Sequence, residues 1–189
     1  METITKIKNY IKKCYRLALT KEKQENVVWN DLKKLHLAQD WSSGFFENAK
    51  IIQTRFEVTE DFTQNYFCKI SNKTFQSKVY FIDNFDNELA SEFFILATHF
   101  NNLLVDGKVM IHINENRVEF IMESDLITPL LTPDELLNQI SNHYHFSLDI
   151  YHSFQRLLIE QEAPAIIIAD LMASREKNNV NNRSNDNND

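Results

Sequence analysis

The chain has only two glycines, Gly44 and Gly107, and only three prolines. Two isolated glycines cannot build a Gly-rich phosphate loop, and neither the nucleophile-elbow pattern nor the kinase patterns occur. Cysteine is equally scarce. Cys14 and Cys68 stand far apart with no companion at metal-ligand spacing, which excludes a disulfide framework and a zinc site and fits a reducing, cytoplasmic compartment. No apolar run approaches the roughly 20 residues that cross a bilayer, the longest stretch, near 163–173, being interrupted by Pro164 and Asp170. The N-terminal basic residues are followed only by Leu17, Ala18 and Leu19, too short a core for an export signal.

What the chain does have is material for one core. It holds 189 residues, 43% hydrophobic and 25% charged, with 14 phenylalanines to bury. Its net charge of −7 is unevenly spread: residues 1–23 carry seven cations against Glu2 and Glu22, so that segment is +5 and the remainder is −12. An acidic body repels phosphates, so duplex nucleic acid is not an expected partner of the main domain.

Ile4, Ile7, Ile11, Cys14 or Tyr15, and Ala18 recur at helical spacing over 3–19, with Lys8, Lys12, Lys13 and Arg16 on other faces. The ordinary reading is a helix packed by its apolar stripe with a solvated basic face. The alternative is contact with an acidic partner or a membrane surface. A second helix is expected over 27–37, and the pattern breaks at Trp41 to Gly44.

From Ile51 the apolar period becomes two, in five segments. Ile52, Thr54, Phe56 and Val58 face in on the first. Tyr66, Cys68 and Ile70 do so on the second, and Phe75, Val79 and Phe81 on the third. Between the third and fourth, Leu89, Phe93, Leu96, Phe100 and Leu103 or Leu104 form a helical stripe over 87–105, which Asp106 and Gly107 are expected to end. Val109, Ile111 and Ile113, then Val118, Phe120 and Met122, face in on the last two strands, a hairpin joined by Asn114 to Asn116. Thr132, Pro133, Asp134 and Glu135 read as a capping box opening a helix, with a break expected near Ser147. From Glu176 the chain is Asn-rich and without apolar periodicity, the composition of a disordered tail.

These elements predict an α+β domain with a five-stranded antiparallel sheet in the order helix-βββ-helix-ββ-helix, its helices mainly on one face. The expected division is a helical extension at 1–43, the α+β domain at 44–175 and the tail at 176–189. The segment Phe100, Asn101, Asn102, Leu103, Leu104, Val105, Asp106 and Gly107, the hairpin Val109 to Met122, and Leu131 to Leu137 opening the last helix carry a resemblance. Over about 50–160 the chain resembles the type III secretion chaperone-like fold and, within it, the YbjN-like sensory transduction regulators. The resemblance implies no catalytic motif. It implies a chaperone-like or regulatory module, homodimeric and acidic, that holds a partner chain in extended form.

Catalytic and metal readings have little support in the spacing. His143 and His145 lie about 200° apart around a helix and cannot share one ion. The carboxylates Glu57, Glu60 and Asp61, or Asp83, Asp86 and Glu88, sit where acids solvate loops and cap helices. No catalytic residue, metal or cofactor is assigned. The anomaly is the sheet's outer face, where Phe67, Tyr80, Ile82, Met110 and Ile121 interrupt polar alternation. Either the chain's own N-terminal helix or final segment covers them, or they form a surface for another protein or a second copy of the chain. The expected function is therefore noncatalytic protein binding. Its rival is a small-ligand sensor with a pocket between sheet and helices, which would need Tyr66, Tyr144, His112 and Arg117 to converge.

Overall fold

The computed structural model describes residues 2–59, 62–83, 85–126 and 131–185. Among the described residues there are five α-helices: α1 Glu2–Leu17, α2 Lys21–Ala38, α3 Ala90–Leu103, α4 Pro133–Gln155 and α5 Pro164–Asn185. The strands are β1 Ser43–Phe46, β2 Ile51–Thr59, β3 Phe62–Ser71, β4 Thr74–Asp83, β5 Lys108–His112 and β6 Arg117–Asp125. They form one open sheet in the order β1-β2-β3-β4-β6-β5, and the first three pairings are antiparallel. The expectation of five strands is thus corrected to six. Strand β1 covers only four residues, too few for alternation to register in the sequence, and it lies where the pattern breaks after Trp41.

Contacts divide the chain into two compact units, 1–80 with 121–144, and 81–120 with 145–189. The first unit includes α1 and α2 together with β1, β2 and β3. Register pairs Ile52 with Cys68 and Thr54 with Tyr66 across β2 and β3, then Tyr66 with Val79 across β3 and β4. All of these side chains are buried, as period-two burial requires. The β3–β4 hairpin turns on Asn72 and Lys73, both at positive φ (51° and 64°), the conformation that a two-residue turn needs to match strand twist. Glu25 of α2 holds this corner, accepting from the Lys73 amide at 3.0 Å and pairing with Lys50 at 3.1 Å. The link residues Glu60 and Asp61 lie outside the described residues.

Both α2 and α4 rest on the face of β2 and β3 that carries Thr54 and Tyr66. His36 reaches the Thr54 hydroxyl, and the Tyr66 hydroxyl donates to the Ile140 carbonyl at 3.5 Å. The capping box is real: Glu135 accepts from the Thr132 amide at 2.7 Å, and the Glu135 amide donates to the Thr132 hydroxyl at 3.4 Å. α4 runs unbroken past Ser147, which is buried. The irregularity comes later, as a π turn at Arg156–Glu160.

In the second unit Phe85 stacks on Phe93, and Phe154 packs against Phe93 and Phe100, so aromatics dominate the core. Asp86 caps the 3-10 turn Asn87–Leu89 that leads into α3, accepting from the Glu88 amide at 3.0 Å. The helix ends before Gly107, at an extended Leu104. Gly107 instead supplies a φ of 90° in the turn into β5. Asn101 clamps that turn, its side chain accepting from the Val109 amide at 2.7 Å and donating to the Val109 carbonyl at 3.0 Å. Ile113, expected to face in, is 44% exposed because β5 stops at His112 and the chain turns through Ile113–Glu115. The backbone of α5 stays helical into the Asn-rich segment as far as Asn185, while 186–189 lie outside the described residues.

Candidate functional site

Placing α2 and α4 against Thr54 and Tyr66 leaves the opposite face of β2 and β3 without them. The pleat sends alternate residues to that face: Ile51 and Gln53 from β2, Phe67 and Lys69 from β3, and Gln76, Lys78 and Tyr80 from β4. With Phe46 from the edge strand β1 they line an open groove of about 400 Å³.

The floor of the groove is aromatic and aliphatic. Register places Phe67 opposite Lys78 and next to Tyr80 on the same face, and the Phe67 and Tyr80 rings meet edge to face at 5.7 Å. The Lys78 ammonium sits 5.0 Å from the centre of the Tyr80 ring. Phe46 remains 54% exposed, so the β1 wall presents apolar surface to solvent. The groove lining carries Lys69 and Lys78 and no carboxylate, in a chain where acids outnumber lysine plus arginine by 27 to 20.

The five side chains expected to form an outer-face surface meet different fates. Phe67 and Tyr80 are half-buried and brought into contact. Ile121 on β6 and Met110 on β5 are half-buried as well, but neither lines this groove. Ile82 is only 6% exposed, so it offers almost no surface. Two further members, Phe46 and Ile51, escaped the sequence reading. Extending the β2 alternation one step back would have found Ile51, whereas Phe46 has too short a strand to announce itself.

The residues of the sensor reading are divided between the two units, Tyr66 and Tyr144 in the first and His112 and Arg117 in the second. Tyr66 is fully buried, with its ring against His143 and Phe56, and burial pushes its hydroxyl well above the ordinary range. Tyr144 donates to the Glu57 carbonyl at 3.4 Å. In the other unit His112 lies 2.7 Å from Glu119, and Arg117 lies 2.5 Å from Glu115. Glu119, on the nominally outer side of β6, is only 6% exposed, which the alternation did not foretell.

Two buried groups, Cys68 and His36, are held in inert states. Burial pushes the Cys68 thiol upward, away from the thiolate that nucleophilic chemistry needs. His36, also buried, is pulled down from 6.5 to about 4, so it is neutral near pH 7. His143 is fully buried while His145 is exposed, in keeping with their opposite placement on α4. Among the described residues, no three His, Cys, Asp or Glu side chains come together as a metal site, and no helix is long and apolar enough to cross a membrane.

No protein-family model and no curated protein sequence matches the chain. Solved structures do match. YbjN of E. coli, described as a candidate transcription regulator, superposes with a TM-score of 0.53 at 8% identity, covering 69% of this chain and 93% of YbjN. An uncharacterized protein of Methanothermobacter thermautotrophicus gives a TM-score of 0.45 at 14% identity, over 67% of this chain and 96% of that one. The superposition on YbjN makes the fold YbjN-like, as the asparagine-bearing helix end and the following hairpin suggested.

Proposed function

We propose that the chain is a noncatalytic protein-binding module, chaperone-like or regulatory, whose partner polypeptide lies on the outer face of β1–β4. The observation that carries this reading is the groove: Phe46, Ile51, Phe67 and Tyr80 converge on a part of the sheet to which α2 and α4 contribute no lining. An ordinary solvated sheet face carries polar residues at these positions. Each of these side chains is worth roughly 1.5 to 3 kcal/mol if fully buried, so a partner covering several of them gains enough to hold. Being named a candidate regulator, YbjN fits a module that works by contact and not by turnover. Nothing in the proposed site requires a cofactor.

Co-purification from the native cell tests the reading, with wild-type chain run beside the Phe67→Ser/Tyr80→Ser variant. Specific polypeptides that bind the wild type and are lost by a variant with an unchanged circular dichroism spectrum are the expected result. The same polypeptides on both chains, or none on either, would remove the groove as the functional surface. Sedimentation of the two purified chains reports whether the occupant is a second copy.

A further inference from the structure

α1 is docked to the fold by the side that an ordinary surface helix turns to solvent. Among its described side chains the buried one is Arg16, only 2% exposed, which donates to the Leu131 carbonyl at 3.0 Å and pairs with Asp31. One turn earlier Lys13 pairs with Glu135 at 2.6 Å. The described large apolar residues point away: Ile7, Tyr10, Ile11, Tyr15 and Leu17 are exposed by 52 to 70%. This inverts the ordinary reading of the sequence stripe, and the cause is local. Arg16 finds both a carbonyl and a carboxylate in reach, so the polar arc makes the contacts and the apolar arc is left over.

We propose that this arc is a membrane-interface surface, seating α1 in the headgroup region of an anionic lipid bilayer. At roughly 100° per residue, Ile7 and Ile11 lie mid-arc, with Tyr10 on one side and Tyr15 on the other. That order, aliphatic in the middle and amphipathic aromatics at the margins, matches the polarity gradient between acyl chains and headgroups. Lys8 and Lys12 follow beyond Tyr15, and residues 1–23 carry +5 against −12 for the rest of the chain. The helix is thus complementary to an anionic surface while the body is repelled, which makes α1 the point of contact. Pairing of two such arcs is opposed by the lysines, which would bring like charges together. The proposal is independent of the groove on β1–β4.

Flotation of the full chain with vesicles tests it, using phosphatidylcholine alone and phosphatidylcholine mixed with phosphatidylserine. Binding is expected on the mixed vesicles, weakening as salt is raised, with little on the neutral ones. Each lysine near such a surface is worth about fivefold in affinity, so Lys8→Glu/Lys12→Glu is expected to bind at least about 25-fold more weakly. Ile7→Ser/Ile11→Ser is expected to abolish flotation with an unchanged thermal midpoint, since both side chains are already exposed. Failure to float with the mixed vesicles, equal flotation on neutral ones, or undiminished binding by the isoleucine variant would overturn the proposal. So would a concentration-dependent dimer that the isoleucine variant loses, which would assign the arc to a second copy.

Discussion

His36 and Thr54, 18 positions apart, are joined by a 3.0 Å contact between Nδ1 and Oγ1, where α2 is buried against β2. Ser43 Oγ completes the cluster at 2.9 Å from both, and Trp41 sets its ring edge-on to the imidazole at 4.9 Å. One histidine therefore ties the helix to the edge strand β1, the element that the sequence concealed.

The depressed His36 value makes stability depend on pH. Unfolded, the imidazole takes up a proton near 6.5, whereas in the fold it resists protonation until about 4. The unfolded state binds more protons within that window, so this contribution is fully present above 6.5 and is lost as pH falls toward 4. The loss amounts to about 3 kcal/mol. Urea denaturation midpoints measured across the window are expected to fall more steeply for the wild type than for His36→Gln. Parallel curves would show that His36 protonates without cost.

Groove and core substitutions should separate. Phe67→Ser/Tyr80→Ser alters half-buried residues on the open face, and its stability loss is expected to be smaller than that of Phe120→Ala, which removes a fully buried ring at a typical cost of about 3 to 5 kcal/mol. Ile82→Ser and Ile121→Ser are expected to differ likewise, with the buried Ile82 the costlier. Chemical denaturation of the four variants orders them. An equal loss in the groove and core variants would mean that the groove is internal packing.

The two thiols should react at very different rates. Cys14 is exposed on α1, whereas Cys68 is buried and its thiol is pushed upward by desolvation. A chromogenic disulfide reagent is expected to titrate one thiol quickly in the native protein and the second only on unfolding. Cys14→Ser should remove the fast phase. A fast phase persisting in that variant would show that the core around Cys68 opens readily.

Removing residues 177–189 is expected to leave the thermal midpoint unchanged within error, because the segment lacks the apolar periodicity that docks a helix. The cut spares the Arg175 to Asp149 ion pair at 2.7 Å. A drop of several degrees would show that the end of α5 is held by the fold.

Much of this fold was legible because period-two alternation and the 3.6 stripe are written residue by residue. Tyr66, Cys68, Ile70, Phe75 and Val79 had to share one side of a sheet, and Phe93, Leu96 and Phe100 one side of a helix. The Thr132 to Glu135 capping box was equally local. The apolar character of Phe67 and Tyr80 on the polar side was visible too. Their meeting in a groove was not, since it depends on β1 adding Phe46 at an edge. For α1 the sequence determined an amphipathic helix, yet only tertiary structure decided which arc docks. Amphipathicity fixes where the apolar residues stand around an axis. Which side is buried depends on the partners the fold brings near, and here Leu131, Asp31 and Glu135 claim Arg16 and Lys13.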